Sequence, residues 1–141
     1  MDTDLHELYQ SILLEHNKRP KNYGAPEVYT HVENGFNPLC GDKVTIFLNL
    51  KEDYIETVCF EAASCAICKA SASMMTEAVR GKSTQMANQV SSHIHGLFSK
   101  GSDAVIDLEK EGELAALVGV RKFPARVKCA LLPWQTLIKV I

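Results

Sequence analysis

Three cysteine-bearing segments lie far apart along this chain: Cys40-Gly41-Asp42, Ser64-Cys65-Ala66-Ile67-Cys68 and Lys128-Cys129. Any fold that uses them together has to bring residues near 40, 65 and 129 to one point. Three thiols and a carboxylate on separate segments form the donor set of a soft, tetrahedral metal site. Zinc accepts thiolate and carboxylate ligands together, and four protein ligands close the site. The same donors gathered at one point can also receive sulfur or iron.

The rest of the composition narrows the setting. At 141 residues and 46% hydrophobic, the chain fits one domain with a core of its own. A formal charge of -2 gives no bulk attraction to nucleic acid or to a membrane surface. No apolar run approaches the ~20 residues of a spanning helix. Met1-Asp2-Thr3-Asp4 is acidic and lacks the basic-then-apolar pattern of a signal peptide. The expectation is a cytoplasmic, reducing setting, where five cysteines are free or metal-bound rather than paired.

Periodicity predicts the elements. Leu5, Leu8, Tyr9, Ile12 and Leu13 repeat at helical spacing after a cap at Thr3 or Asp4. Lys18 to Pro26 reads as a loop. Val28 to Phe36 reads as a first strand, although Asn34-Gly35 also marks turns. Val44, Ile46, Leu48 and Leu50 alternate with Thr45, Phe47 and Asn49, a strand with one buried face. Lys51-Glu52-Asp53 suits a hairpin turn into a partner strand from Ile55 to Phe60. A close-packing helix of small and apolar residues runs from Cys65 to about Arg80 and ends at Gly81. The more polar stretch at about 81–101 reads as a helical insert, and Asp103 to Val118 as a further helix. Pro124 suits the first turn of a last helix ending at Ile141. A helix, a small antiparallel sheet of about three strands and then several helices make an α+β class, read as one domain over 1–141.

Each candidate residue carries an alternative. Gly41 lets the backbone turn Cys40 and Asp42 toward one point, yet Cys-Gly-Asp is also an ordinary tight turn. Cys65 begins a helix, where a thiolate is stabilised. Cys68 completes a Cys-x-x-Cys, which reads as a dithiol redox pair, a spare thiol or a small buried core residue. Arg126 and Lys128 flank Cys129, and cationic neighbours lower a thiol pKa. The run Arg121, Lys122, Arg126, Lys128 reads equally as a solvated turn. Cys59, between Val58 and Phe60, reads as structural, and His93 and His95 as surface residues rather than a metal pair.

Further motifs carry a resemblance. Lys18-Arg19-Pro20-Lys21-Asn22-Tyr23-Gly24 follows the first helix. Asn37-Pro38-Leu39-Cys40-Gly41-Asp42 and Ala70-Ser71-Ala72-Ser73-Met74-Met75 come next. Arg126-Val127-Lys128-Cys129-Ala130-Leu131-Leu132-Pro133-Trp134 comes last. In this order they resemble the U-type iron-sulfur assembly proteins (NifU N-terminal, IscU and SufU) over nearly the whole chain. The long interval from Cys65 to Cys129, and Lys128 where IscU-like chains usually carry histidine, resemble the SufU branch. Ser64 stands where the family commonly has glycine, and Phe123 to Val127 matches the IscU chaperone motif only in part. The resemblance implies a zinc site of Cys40, Asp42, Cys65 and Cys129, with Cys40 taking persulfide sulfur from a SufS-like cysteine desulfurase for downstream assembly proteins. Arg126 would steady thiolate or persulfide charge. The alternative it implies is a scaffold holding iron or a [2Fe-2S] cluster on the same residues. A purely structural zinc site is a third reading.

Overall fold

The computed structural model describes residues 2–99 and 107–141. Helix α1 spans Asp2–Lys18, so it begins ahead of the expected cap. Three strands follow: β1 His31–Asn37, β2 Asp42–Lys51 and β3 Tyr54–Ala63. They form an antiparallel sheet in the order β1-β2-β3. Val44, Ile46 and Leu48 turn into the core at period two with Val58 and Phe60 of β3, and Ile55 joins them across a register shift at Asn49/Leu50. Phe47 is buried too, on the other face, where Tyr29 meets its ring edge-on at 5.1 Å. The β2–β3 turn is Glu52-Asp53, with Glu52 at φ 58°.

The first strand begins later than expected and runs straight through Asn34-Gly35. The reason is packing. A Cβ on Gly35 would run into Thr136 Oγ1, Val44 and Leu132, because the last helix lies directly on β1 at that point. Glycine here gives room for a helix rather than a turn.

Helix α2, Ala66–Val79, is the centre of the helical layer and packs against β3, α1 and the last helix. Its small residues permit close approach, and its buried serines satisfy their neighbours. Ser71 Oγ donates to the Ala130 carbonyl and accepts from Trp134 Nε1 at 3.1 Å. Ser73 Oγ pairs with His16 Nδ1 at 2.7 Å and accepts from Lys21 N–H at 2.8 Å. Gly81, at φ 77°, leads out of the helix.

The polar stretch after Gly81 forms α3, Thr84–Ser99. Its start is pinned to the β2–β3 hairpin by Thr84 N–H to Asp53 O at 2.7 Å and Ile55 N–H to Lys82 O at 2.8 Å. The expected helix of residues 103–118 resolves into α4, Leu108–Glu111, and α5, Leu114–Val118, hinged at Gly112 (φ 58°). Its expected beginning, residues 103–106, lies outside the described residues. A short 3-10 turn, Gly119–Lys122, leads into α6, Pro124–Val140, with Pro124 in the first turn as expected. Pro133 lies inside α6 and has no N–H to give the carbonyl four residues earlier, that of Cys129. Among the described residues, no helix is long and apolar enough to cross a membrane.

Candidate metal and thiol site

Cys40 sits in the loop that joins β1 to β2. Asn37 and Asp42 are the paired residues that close this hairpin. Gly41 N–H donates to the Asn37 carbonyl at 2.8 Å, and Leu39 N–H to Asn37 Oδ1 at 3.3 Å. Gly41 has φ 72°, a left-handed conformation that glycine adopts without strain. The Cys40 thiol is exposed, whereas Asp42 is 1% exposed at the first position of β2.

Asp42 links this hairpin to α2. Its Oδ1 accepts from the backbone N–H of Cys65 at 2.9 Å. Its Oδ2 is buried and has no hydrogen-bond partner among the described residues. A buried carboxylate oxygen left in that state is costly unless a proton or a cation meets it. Cys65 is the N-cap of α2 rather than its first helical residue, and its Sγ accepts from Cys68 N–H at 3.4 Å.

Cys129 arrives on α6, fully buried, with its Sγ 3.5 Å from Cys40 Sγ and 3.9 Å from Asn37 Nδ2. Ligand atoms of Cys40, Asp42 and Cys129 lie within 4.8 Å of one another, a set that could hold a metal ion. Cys65 stands at the edge of this set, joined through its N–H to Asp42 and close enough for its thiol to influence that of Cys129. Burial pushes the Cys129 thiol well above its ordinary range, and contacts with Asp42, Cys40 and Cys65 push it further. This reverses the expectation from Arg126 and Lys128. Both side chains are exposed, with no described hydrogen bond or ion pair to the thiols, and burial outweighs their charge. A bound cation would reverse the cost, since it favours thiolates and occupies the orphan oxygen.

The remaining candidates fall outside the set. Cys68 is a core residue whose thiol burial pushes up to about 12. Cys59 is half-buried on β3 opposite Phe47. His93 Nε2 pairs with the buried Glu111 at 2.8 Å, and His95 Nδ1 meets the Ser91 carbonyl at 2.8 Å, so the two serve separate local contacts. Asn37 is the residue lining the cluster that sequence reasoning passed over. Its signal was present, an asparagine opening a Pro-containing loop where a side-chain oxygen can cap the turn.

A three-stranded sheet backed by helices, with a thiol–carboxylate cluster where a hairpin loop meets two of them, defines a class of small thiol-site domains. The profile of the NifU-like N terminal domain matches residues 8–130, and the chain belongs to that family. A "Zinc-dependent sulfurtransferase SufU" from Bacillus subtilis is 40% identical over 139 residues, covering 98% of this chain and 92% of its own length. An "Iron-sulfur cluster assembly scaffold protein IscU" from Streptococcus pyogenes is 37% identical, covering 97% and 84%. Among solved structures, a candidate SUF-system iron-sulfur cluster assembly scaffold from Fervidobacterium islandicum superposes with a TM-score of 0.84 at 33% identity, over 96% of this chain and 97% of that one.

Proposed function

We propose that this protein carries sulfur for iron-sulfur cluster assembly, as a zinc-dependent acceptor of persulfide sulfur from a SufS-like cysteine desulfurase in the cytoplasm. The observation that carries this reading is the gathering of Cys40, Asp42 and Cys129 within 4.8 Å with Cys40 alone exposed. The named activity of the Bacillus subtilis relative supports it.

Zinc would be held by Cys40, Asp42, Cys65 and Cys129, and it would supply positive charge that keeps the thiols deprotonated. The orphan Asp42 oxygen and the soft donors around it fit such an ion. Cys40, on its loop beside Gly41, is the ligand that moves at least backbone cost. Its Sγ attacks the terminal sulfur of the desulfurase persulfide, forming a new S–S bond as the desulfurase thiolate leaves. Asp42, a hard oxygen among soft sulfurs, is the weaker tether that permits exchange. Arg126 lies one helical turn before Cys129 on α6 and steadies persulfide charge, with Lys128 adding to the local field.

The relatives named IscU favour a second reading, in which the same donors hold a growing [2Fe-2S] cluster. Metal and acid-labile sulfide analysis of anaerobically purified protein separates the two. Zinc without sulfide, with stimulation of a desulfurase that vanishes in Cys40→Ser, supports the carrier. Iron with sulfide and no stimulation supports the scaffold.

A further inference from the structure

We propose that Cys129 is the resolving thiol of this site, discharging the Cys40 persulfide as hydrosulfide and closing a Cys40–Cys129 disulfide. The inference rests on the sulfur-acceptor reading above and adds the form in which the sulfur leaves.

Access and distance divide the roles. Cys40 is exposed and can meet a partner's persulfide, whereas Cys129 is fully buried and can react only with a neighbour inside the protein. That neighbour is Cys40, whose Sγ lies 3.5 Å from Cys129 Sγ. In a Cys40 persulfide this is the inner sulfur. Attack on an inner sulfur expels the outer one, while attack on the outer sulfur only moves it to a new thiol. The geometry therefore points to release rather than relay.

The other thiols are less well set for the step. Cys65 caps α2 through the Cys68 N–H and lies outside the tight set, and Cys68 is buried in the core. An S–S bond of about 2.0 Å requires an approach of about 1.5 Å. The Cys40 side can supply it, because the residue is in a hairpin loop beside Gly41, where a Cβ would meet nothing within 4 Å. Asn37 Nδ2, 3.9 Å from Cys129 Sγ, offers a donor to charge developing on that sulfur, and the Asn37 carbonyl and Oδ1 hold the loop from the other side.

The step balances. The Cys129 thiolate and the protonated Cys40 persulfide give the Cys40–Cys129 disulfide and hydrosulfide, HS⁻. One S–S bond forms between the two cysteine sulfurs as the bond to the outer sulfur breaks. The persulfide's own proton stays on that outer sulfur as it leaves. The outer sulfur is reduced by two electrons, and the two cysteines together are oxidised by two. A dithiol reductant returns the site to its starting state by exchange. The product is sulfide, the oxidation state that iron requires in a cluster.

The test is a single turnover of the full chain, without air or small thiols, using a cysteine desulfurase and ³⁴S-cysteine. Labelled sulfide is trapped, and the chain is alkylated and peptide-mapped without reduction. The expected result is labelled sulfide together with a chain lighter by two hydrogens, whose peptides of residues 40 and 129 are joined. A sample without cysteine should show no such link. Cys68→Ala, outside the metal set, should form the same link and release the same labelled sulfide. A stable Cys40 persulfide beside an alkylatable Cys129 overturns the inference and leaves the acceptor reading standing. The same holds for label on Cys129 or a disulfide to Cys65 or Cys68. A chain that takes up no label overturns both.

Discussion

Asp42 gives one carboxylate oxygen to the backbone N–H of Cys65 at 2.9 Å and holds the other buried with no hydrogen-bond partner among the described residues. A single side chain thus joins the hairpin bearing Cys40 to the helix capped by Cys65, and still has an oxygen to offer a cation. These two tasks separate experimentally. With metal chelated, Asp42→Ala should lose about 1–3 kcal/mol of stability through the lost hydrogen bond to the Cys65 N–H. Asp42→Asn should recover most of that, since its amide oxygen can still accept. Thermal melts in chelator measure this, and equal melts for the two variants would refute the structural task. With zinc present, Asp42→Ala should keep its metal while sulfur release slows.

The proposed zinc site draws its thiols from three segments. Cys40→Ser, Cys65→Ser and Cys129→Ser should each greatly reduce the zinc found by elemental analysis, whereas Cys59→Ser should leave it unchanged. Removing zinc should lower the melting temperature of the wild type, because an ion that binds only the folded chain stabilises it. Full zinc content in Cys65→Ser would remove that residue from the proposed ligand set.

Gly35 sets the distance between β1 and α6. Gly35→Ala should cost about 1–3 kcal/mol by overpacking. It should also weaken the metal site more than an equally destabilising core substitution elsewhere, because α6 carries Cys129. Urea unfolding and zinc titration on the same samples compare the two effects. Wild-type zinc affinity in a destabilised Gly35→Ala would show that the helix–strand spacing does not govern the site.

Thiol reactivity should follow burial. In metal-stripped, reduced protein, iodoacetamide should modify Cys40 first and Cys68 only on unfolding. Burial raises the Cys68 thiol from its ordinary 9.0 to about 12. Its contribution to stability is therefore complete below pH 9 and is lost as pH rises through about 12, because the unfolded chain releases this proton first. Between those limits the urea midpoint of the wild type should fall more steeply with pH than that of Cys68→Ala. Identical slopes would contradict the burial argument.

The sheet was legible because alternation is local. Val44, Ile46 and Leu48 declare their face within a few residues, and Glu52-Asp53 declares the turn. Burial of Phe47 was not legible, since it depends on Tyr29 folding back across the sheet. Asn34-Gly35 left a turn open as an alternative for the same reason: α6, distant in sequence, decides why glycine is there. At the site, thiols and carboxylate on spaced segments announced Cys40, Asp42 and Cys129. The basic residues beside Cys129 suggested a lowered pKa that burial reverses, and no reading of neighbours along the chain contains burial.

The two sulfurs that stand 3.5 Å apart are separated by 89 positions in sequence. Chains are made from the N-terminus at about 5–20 residues per second. The hairpin loop therefore leaves the ribosome several seconds before the helix that completes its site. Throughout that interval Cys40 and Asp42 stand on an unfinished protein with no Cys129 beside them. On the proposed reading, metal loading and sulfur transfer both follow the docking of α6, so that docking acts as the checkpoint for a fully formed site.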